Sequence, residues 1–117
     1  MLSKKNLLKR VEIRDLTSQK INPIQGQYFG LIYFPSTEAS KFAVIISKKI
    51  ASKAVERNRI KRLLYRAIGN KLIERKGMFL FLAKKNCVNG KLEEFERDME
   101  NFQLKVISLS NRFSQRS

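Results

Sequence analysis

The stretch KAVERNRIKR, residues 53–62, sets five basic side chains, Lys53, Arg57, Arg59, Lys61 and Arg62, around Asn58 and one acid, Glu56. Planar guanidinium groups make bidentate contacts to phosphate and stack on bases. An asparagine adds a donor and an acceptor that can bridge a ribose hydroxyl, a base edge or a backbone group. The chemistry on offer is recognition of a polyanion. On a helix at about 100° per residue, Ile60, Leu63, Leu64 and Ala67 define the buried side, and Arg59, Arg62 and Arg66 fall within roughly 60° of one another on the opposite side. They make a row spaced to track a phosphate backbone. Arg57 and Lys61 lie on a second flank, nearer the sheet, with Asn58 between the two sets. A helix that needed only solubility would mix in acids at i+4, and this one has Glu56 alone. Spacing leaves a second role open for Asn58, a cap at the helix start. Ser47, Lys48 and Lys49 precede the helix, so the basic surface runs from a strand end through a loop into a helix N-terminus, where free amides also favour anions.

Composition points the same way. The chain has 117 residues and 43 % hydrophobic side chains, enough for one compact domain over 1–117 with a short loose tail from about 110. Twenty-five Lys and Arg against ten Asp and Glu give a formal charge of +15, a self-repulsion that a polyanion would relieve. The charge is local: residues 41–85 hold fourteen Lys and Arg against Glu56 and Glu74, which is +12 of the +15. No run reaches the roughly 18 apolar residues of a membrane span, and MLSKKNLLKR has charges where a secretory signal has its apolar core. The expectation is a soluble, cytoplasmic protein without a membrane partner. A basic membrane-surface helix would need exposed apolar residues beside its charges, whereas here the apolar stripe is required for the core.

The chain has no histidine and one cysteine, Cys87. Cys-His and Ser-His-Asp nucleophile systems and mixed Cys/His zinc sites are therefore excluded. Cys87 reads as an incidental thiol at a strand end. Glu93, Glu94, Glu96, Asp98 and Glu100 gather half of the acids on one stretch and read as a solvated helix face rather than a metal site. No residue is assigned a catalytic or metal-ligating role.

These side chains need elements to hold them. Leu7, Leu8, Val11 and Leu16 at helical spacing predict a short helix over 4–16, which NPIQG at 22–26 ends. QYFGLIYFP (27–35) and KFAVIIS (41–47) predict two strands, antiparallel across a short polar loop. The basic helix is predicted from about Lys53 to Glu74, closing near Gly77. MFLFLA (78–83) is apolar without alternation, as in a strand buried on both faces. Leu92, Phe95, Met99, Phe102, Val106 and Leu109 at steps of three and four predict a final amphipathic helix. The reading is an α+β two-layer sandwich, a small sheet packed with three helices. Tyr28, Phe29, Tyr33 and Phe34 offer either a base-stacking platform or core aromatics.

ISKKIASKAVERNRIKRLLYRAI, residues 46–68, resembles the signature of the protein subunit of bacterial ribonuclease P: a strand ending in Ser-Lys-Lys, a short link, Arg-Asn-Arg, then Ile-Lys-Arg in register. Length, basicity, the N-terminal LLKR, MFLFLA and the acidic last helix follow the family order. The resemblance implies a mixed sheet of about four strands in the order α-β-β-β-α-β-α, with a left-handed βαβ crossover against the usual hand. It implies a ribonucleoprotein in which a large catalytic RNA, using Mg2+, removes the 5′ leader of precursor tRNA. The small protein would support that RNA and bind the leader, holding no cofactor firmly itself and needing no protein partner. Carried over by position, the RNA-contacting set is Lys48, Lys49, Lys53, Arg57, Asn58, Arg59, Lys61, Arg62 and Arg66. Arg59, Arg62 and Arg66 would face the catalytic RNA, and Arg57, Asn58 and Lys61 the leader.

The chain also departs from the family. Two phenylalanines often line the leader cleft on the first helix, and this chain has Ile13 and Leu16 or Thr17 there. The glycine that commonly follows Ser-Lys-Lys-Ile is Ala51, and the ASK link is one residue longer. With Phe29 and Leu31 in the core, Ile13, Tyr28 and Ile32 are the expected leader-cleft residues. Two rival readings stand beside this one: another basic RNA-binding module, such as a ribosomal protein or RNA chaperone, and a protein nuclease in its own right.

Overall fold

The apolar run MFLFLA organises the sheet. In the computed structural model, which describes residues 7–35, 40–72 and 76–115 without the side chains of 109–115, it forms a central strand. We label the strands β1 (Ile24–Gln25), β2 (Phe29–Phe34), β3 (Lys41–Ile45) and β4 (Met78–Ala83), and the helices α1 (Arg10–Ser18), α2 (Ala54–Lys71) and α3 (Leu92–Gln115). The sheet order is β1-β2-β4-β3. β4 pairs antiparallel with β2, from Phe29 opposite Ala83 to Phe34 opposite Met78, and parallel with β3, from Lys41 opposite Met78 to Ile45 opposite Leu82. The antiparallel β2–β3 pair expected from the short loop does not form. β4 is apolar on both faces, so the position between two strands and two layers, which hides both, is the one it takes.

Alternation along the strands splits the core in two. Phe29, Leu31, Tyr33, Phe42, Phe79 and Phe81 face α2 and α3, where they meet Ile60, Leu64, Ala67, Ile68, Phe95, Met99, Phe102 and Val106. Rings carry much of this layer: Phe29 meets Phe95 edge-on at 4.9 Å, and Phe42 stacks on Phe79 at 5.0 Å. Ile32, Ala43 and Leu80 point to the opposite face, under Leu8 and Leu16, with Ile13, Ile21, Met78 and Leu82 packed around them. The stripes read for α2 and α3 are buried, with Leu63 and Leu92 half-covered at their margins, whereas Val11 of the first stripe is 67 % exposed and the Leu109 side chain lies outside the described residues.

Boundaries moved where the chain found partners that periodicity does not see. Instead of starting at Lys4, α1 starts at Arg10, because Leu7 bridges Phe42 and the Leu8 amide donates to the Phe42 carbonyl at 2.9 Å. That segment covers part of the exposed edge of β3; residues 4–6 lie outside the described residues. α2 stops at Lys71, before the expected Glu74, which also lies outside them. Gly77, at φ +144°, makes the turn into β4, and a Cβ there would come 2.7 Å from the Tyr33 ring. α3 continues to Gln115, into the segment from about 110 expected as a tail.

Candidate nucleic-acid interface

β3 and β4 are parallel neighbours, so the chain must cross from one end of the sheet to the other between them, and α2 makes that crossing. The link Ser47–Lys53 begins where β3 ends. Its turn closes on the Ser47 carbonyl, which accepts from the amides of Ile50 (3.0 Å) and Ala51 (3.2 Å). Ala51 is buried in the main core and pins the link, leaving Lys48, Lys49 and Lys53 exposed around it. Lys53 is the N-cap residue of α2, with no side-chain cap bond. Asn58 lies well inside the helix and is exposed, so it is not the cap that its position also allowed.

The two arginines flanking Asn58 are anchored. Arg57 is half-buried, and its Nη1 donates to the carbonyls of Ala51 (2.8 Å) and Ser52 (2.9 Å), tying the link to the first turns of α2. Arg59 donates through Nη2 to the Val88 carbonyl in the 3₁₀ turn Lys85–Asn89. Asn58, Lys61 and Arg62 have no hydrogen bond or ion pair to any described residue, and they line one concavity with Val55 and Tyr65. The helical wheel grouped Arg62 with Arg59 and Arg66 against Arg57, Asn58 and Lys61. In the structure Arg59 turns toward the 3₁₀ turn, while Arg62 joins Asn58 and Lys61. Residues four apart share a helix face, which brings Arg62 beside Asn58 and Tyr65 beside Lys61. Arg66 is exposed one turn further on.

Ile13 and Ile32 come together on the α1 face of the sheet, but Ile32 is only 6 % exposed. Tyr28 is not with them. Its ring packs on Phe95 of α3 at 5.8 Å between centroids, and its hydroxyl donates to Glu94. The cause is Asp98, whose carboxylate accepts from three successive amides, those of Gln27 (3.0 Å), Tyr28 (2.7 Å) and Phe29 (3.2 Å). Consecutive amides in a strand point to opposite sides, so a segment that aims three at one carboxylate is no longer pleated, and alternation stops before Tyr28. Gly26 allows this approach: a Cβ there would meet Phe102 Cζ at 2.5 Å and the Phe29 carbonyl at 2.7 Å. The residues that open the α1 face are instead Ile45, 40 % exposed, and half-buried Leu82 opposite it. Strand parity with Ala43 and Leu80 was the sequence signal for both.

Asp98 also corrects the reading of the acidic face. At 2 % exposure it is a buried structural carboxylate. Its neighbours are engaged as well: Glu100 pairs with Lys71 at 3.0 Å, Glu96 accepts from Asn70 at 3.3 Å, and Glu94 accepts from Tyr28 and from the Lys91 amide. The Tyr28 hydroxyl and then the Lys91 amide hold the Glu94 carboxyl below its ordinary range, while the same bond raises the Tyr28 phenol. On the far face, Glu12 is lowered first by the Lys9 amide and then, against some desolvation, by Lys41 at 2.9 Å. Burial raises the Cys87 thiol, which sits in the main core. Among the described residues no three His, Cys, Asp or Glu side chains gather to hold a metal ion, and no helix is long and apolar enough to cross a membrane.

A family model described as Ribonuclease P matches residues 1–106. No curated protein matches the chain. Among solved structures, the chain is similar to the RNase P protein of Staphylococcus aureus, at 16 % identity and a TM-score of 0.69, covering 87 % of this chain and 94 % of that one. A mutant of the Staphylococcus aureus protein, described as having defective mRNA degradation activity, gives 16 % identity, a TM-score of 0.72 and 90 % coverage of both chains. The RNase P protein of Thermotoga maritima gives 22 %, 0.59, and 90 % and 94 % coverage. At these identities the solved structures speak for the fold.

Proposed function

The chain belongs to the ribonuclease P protein family, and from that premise we propose that it is the RNA-binding subunit of a ribonuclease P, holding the catalytic RNA and the 5′ leader of precursor tRNA. The observation that carries this reading is the separation of charge. Lys48, Lys49, Lys53, Asn58, Lys61, Arg62 and Arg66 crowd the link and the first turns of α2, exposed and without a carboxylate partner among the described residues. Four acids of α3, Glu94, Glu96, Asp98 and Glu100, are spent elsewhere, against α2's last turn and the start of β2. Cations kept apart from available anions suit an external polyanion, and guanidinium suits phosphate.

Arg57 acts in this reading by bracing the link, which fixes where Lys48, Lys49 and Lys53 stand. The leader runs over the α1 side of the sheet, along Ile45 and Leu82, with Ile13 at its margin. Bond cleavage belongs to the RNA and its Mg2+. This chain binds and positions, in the cytoplasm where tRNA is processed.

The test mixes the protein with a bacterial ribonuclease P RNA and precursor tRNA at low Mg2+ and follows leader cleavage. The expected result is stimulation by protein and no cleavage by protein alone. RNA binding without stimulation would favour a general RNA-binding module. Cleavage without the RNA subunit would place catalysis in this chain.

A further inference from the structure

Val55, Asn58, Lys61, Arg62 and Tyr65 form a stripe along one flank of α2 that is exposed except for half-buried Tyr65. Steps of three or four bring them onto one flank, where they line an open concavity of about 560 Å3. That is within the roughly 300–1,000 Å3 of sites that hold small ligands. Its apolar lining is Val55 and Tyr65. Val55 is 76 % exposed, which core packing does not explain, and Tyr65 is half-buried, packed against the main core. Burial raises the Tyr65 phenol, so the ring stays neutral at physiological pH. Its rim is cationic and polar: Lys61 Nζ stands 5.8 Å from the Tyr65 ring centroid, and Asn58 and Arg62 complete the lining. No acid lines it.

Duplex RNA keeps its bases stacked inside and would engage Lys61 and Arg62 while leaving Val55 and Tyr65 unused. An unstacked nucleotide uses all five residues, because its base has an apolar face, a hydrogen-bonding edge and a phosphate on either side. An asparagine amide matches the N6 donor and N7 acceptor of adenine. We propose that this concavity receives one unstacked adenine nucleotide of a single-stranded RNA segment. The base lies on Tyr65 and Val55, Asn58 reads its N6/N7 edge, and Lys61 and Arg62 hold the flanking phosphates. Lys61, loosely placed over the ring, moves aside to the phosphate as the base enters. This inference rests on the reading of the chain as an RNA-binding subunit and adds which base and which conformation one part of α2 selects.

The test measures binding of the full chain to three labelled RNAs: a short oligouridine, the same oligomer with one central adenosine, and a hairpin with that adenosine paired in its stem. The single-stranded adenosine oligomer should bind tightest. Tyr65→Leu, which keeps an apolar side chain but removes the ring, should weaken it roughly five- to a hundredfold, the range for loss of one base stack. Tyr65→Phe should stay within about twofold, since the stack remains. Asn58→Ala, at an exposed position that folding does not need, should abolish the preference for adenosine over uridine while leaving the salt dependence unchanged. Should Tyr65→Leu fail to fold, Asn58→Ala decides alone. Equal wild-type affinity for the two oligomers, tighter binding of the hairpin, or an unaltered preference in Asn58→Ala overturns the inference while salt-dependent RNA binding stands. If the wild-type chain binds none of the three and leaves leader cleavage unstimulated, the RNA-binding reading falls with it.

Discussion

The first half of α2 and the first half of α3 are both rich in charge of one sign, and they use it in opposite ways. In α3 the carboxylates are internal fasteners: Asp98 gathers three backbone amides, Glu94 holds Tyr28, and Glu96 and Glu100 reach the last turn of α2. In α2 the cations near the start face outward, and two that do bond inward, Arg57 and Arg59, hold backbone carbonyls rather than acids. A carbonyl satisfies some donors of a guanidinium without cancelling its charge, so these arginines shape the loops and still contribute to the positive field. Sign alone does not tell whether a charged stretch works inside the protein or outside it. The partners do.

This contrast can be broken at either helix. Asp98→Ala should have the largest effect. It leaves three amides at the start of β2 without an acceptor and should cost about 3–5 kcal/mol of unfolding free energy, measured by urea denaturation. A loss below about 1 kcal/mol would mean that water replaces the carboxylate and that the α3 acid is a surface group after all.

Removing outward cations should do the reverse. Lys48→Ala, Lys49→Ala and Arg66→Ala together should change stability little, each within about 0.5 kcal/mol. They should lower the slope of log affinity for single-stranded RNA against log salt by about 2, near 0.7 for each phosphate no longer neutralised. An unchanged slope would show that these side chains do not touch phosphate, and a large stability loss would make them structural.

The smallest effect belongs to Tyr28 and Glu94, and it sharpens the picture of α3. Glu94's carboxyl is depressed in the folded chain, so its contribution is present above its ordinary value of 4.5 and is lost as pH falls through the lower folded value. Tyr28's phenol is raised, so its contribution is present below 10.0 and is lost as pH rises through the higher folded value. Tyr28→Phe should therefore reduce stability modestly across the neutral range and leave it unaltered at strongly acid pH, as followed by thermal unfolding from acid to neutral. Equal destabilisation at all pH values would point to poorer ring packing instead of the missing hydrogen bond.

Much of the fold is legible in the apolar pattern, because burial is roughly proportional to apolar area and each element shows its own period. The stripe Ile60, Leu64, Ala67 and Ile68 and the stripe Phe95, Met99, Phe102 and Val106 are the buried faces that spacing picked out. MFLFLA, apolar on both sides, announces a central strand. Pairing is harder, because a short polar loop between β2 and β3 is compatible with a hairpin, and nothing local says that β4 will take the place between them. At the candidate interface, residue types suited to phosphate are visible as a charge excess, but a helical wheel sees only angles. It cannot see that the 3₁₀ turn after β4 offers Arg59 a carbonyl, or that the link before α2 offers Arg57 two.

By itself the sequence determined that this chain makes one basic helix with an apolar back and carries no histidine. Those facts depend on residue type and on spacing within a few turns. Only the tertiary structure decided that Asp98 is buried, that Tyr28 leaves the cleft side for α3, and that Arg59 reaches across to the Val88 carbonyl. Each of these depends on groups far apart in sequence, such as Asp98 some 70 residues from the amides it holds. A carboxylate or an aromatic ring takes its role from whichever donor or face the fold brings within about 3–5 Å.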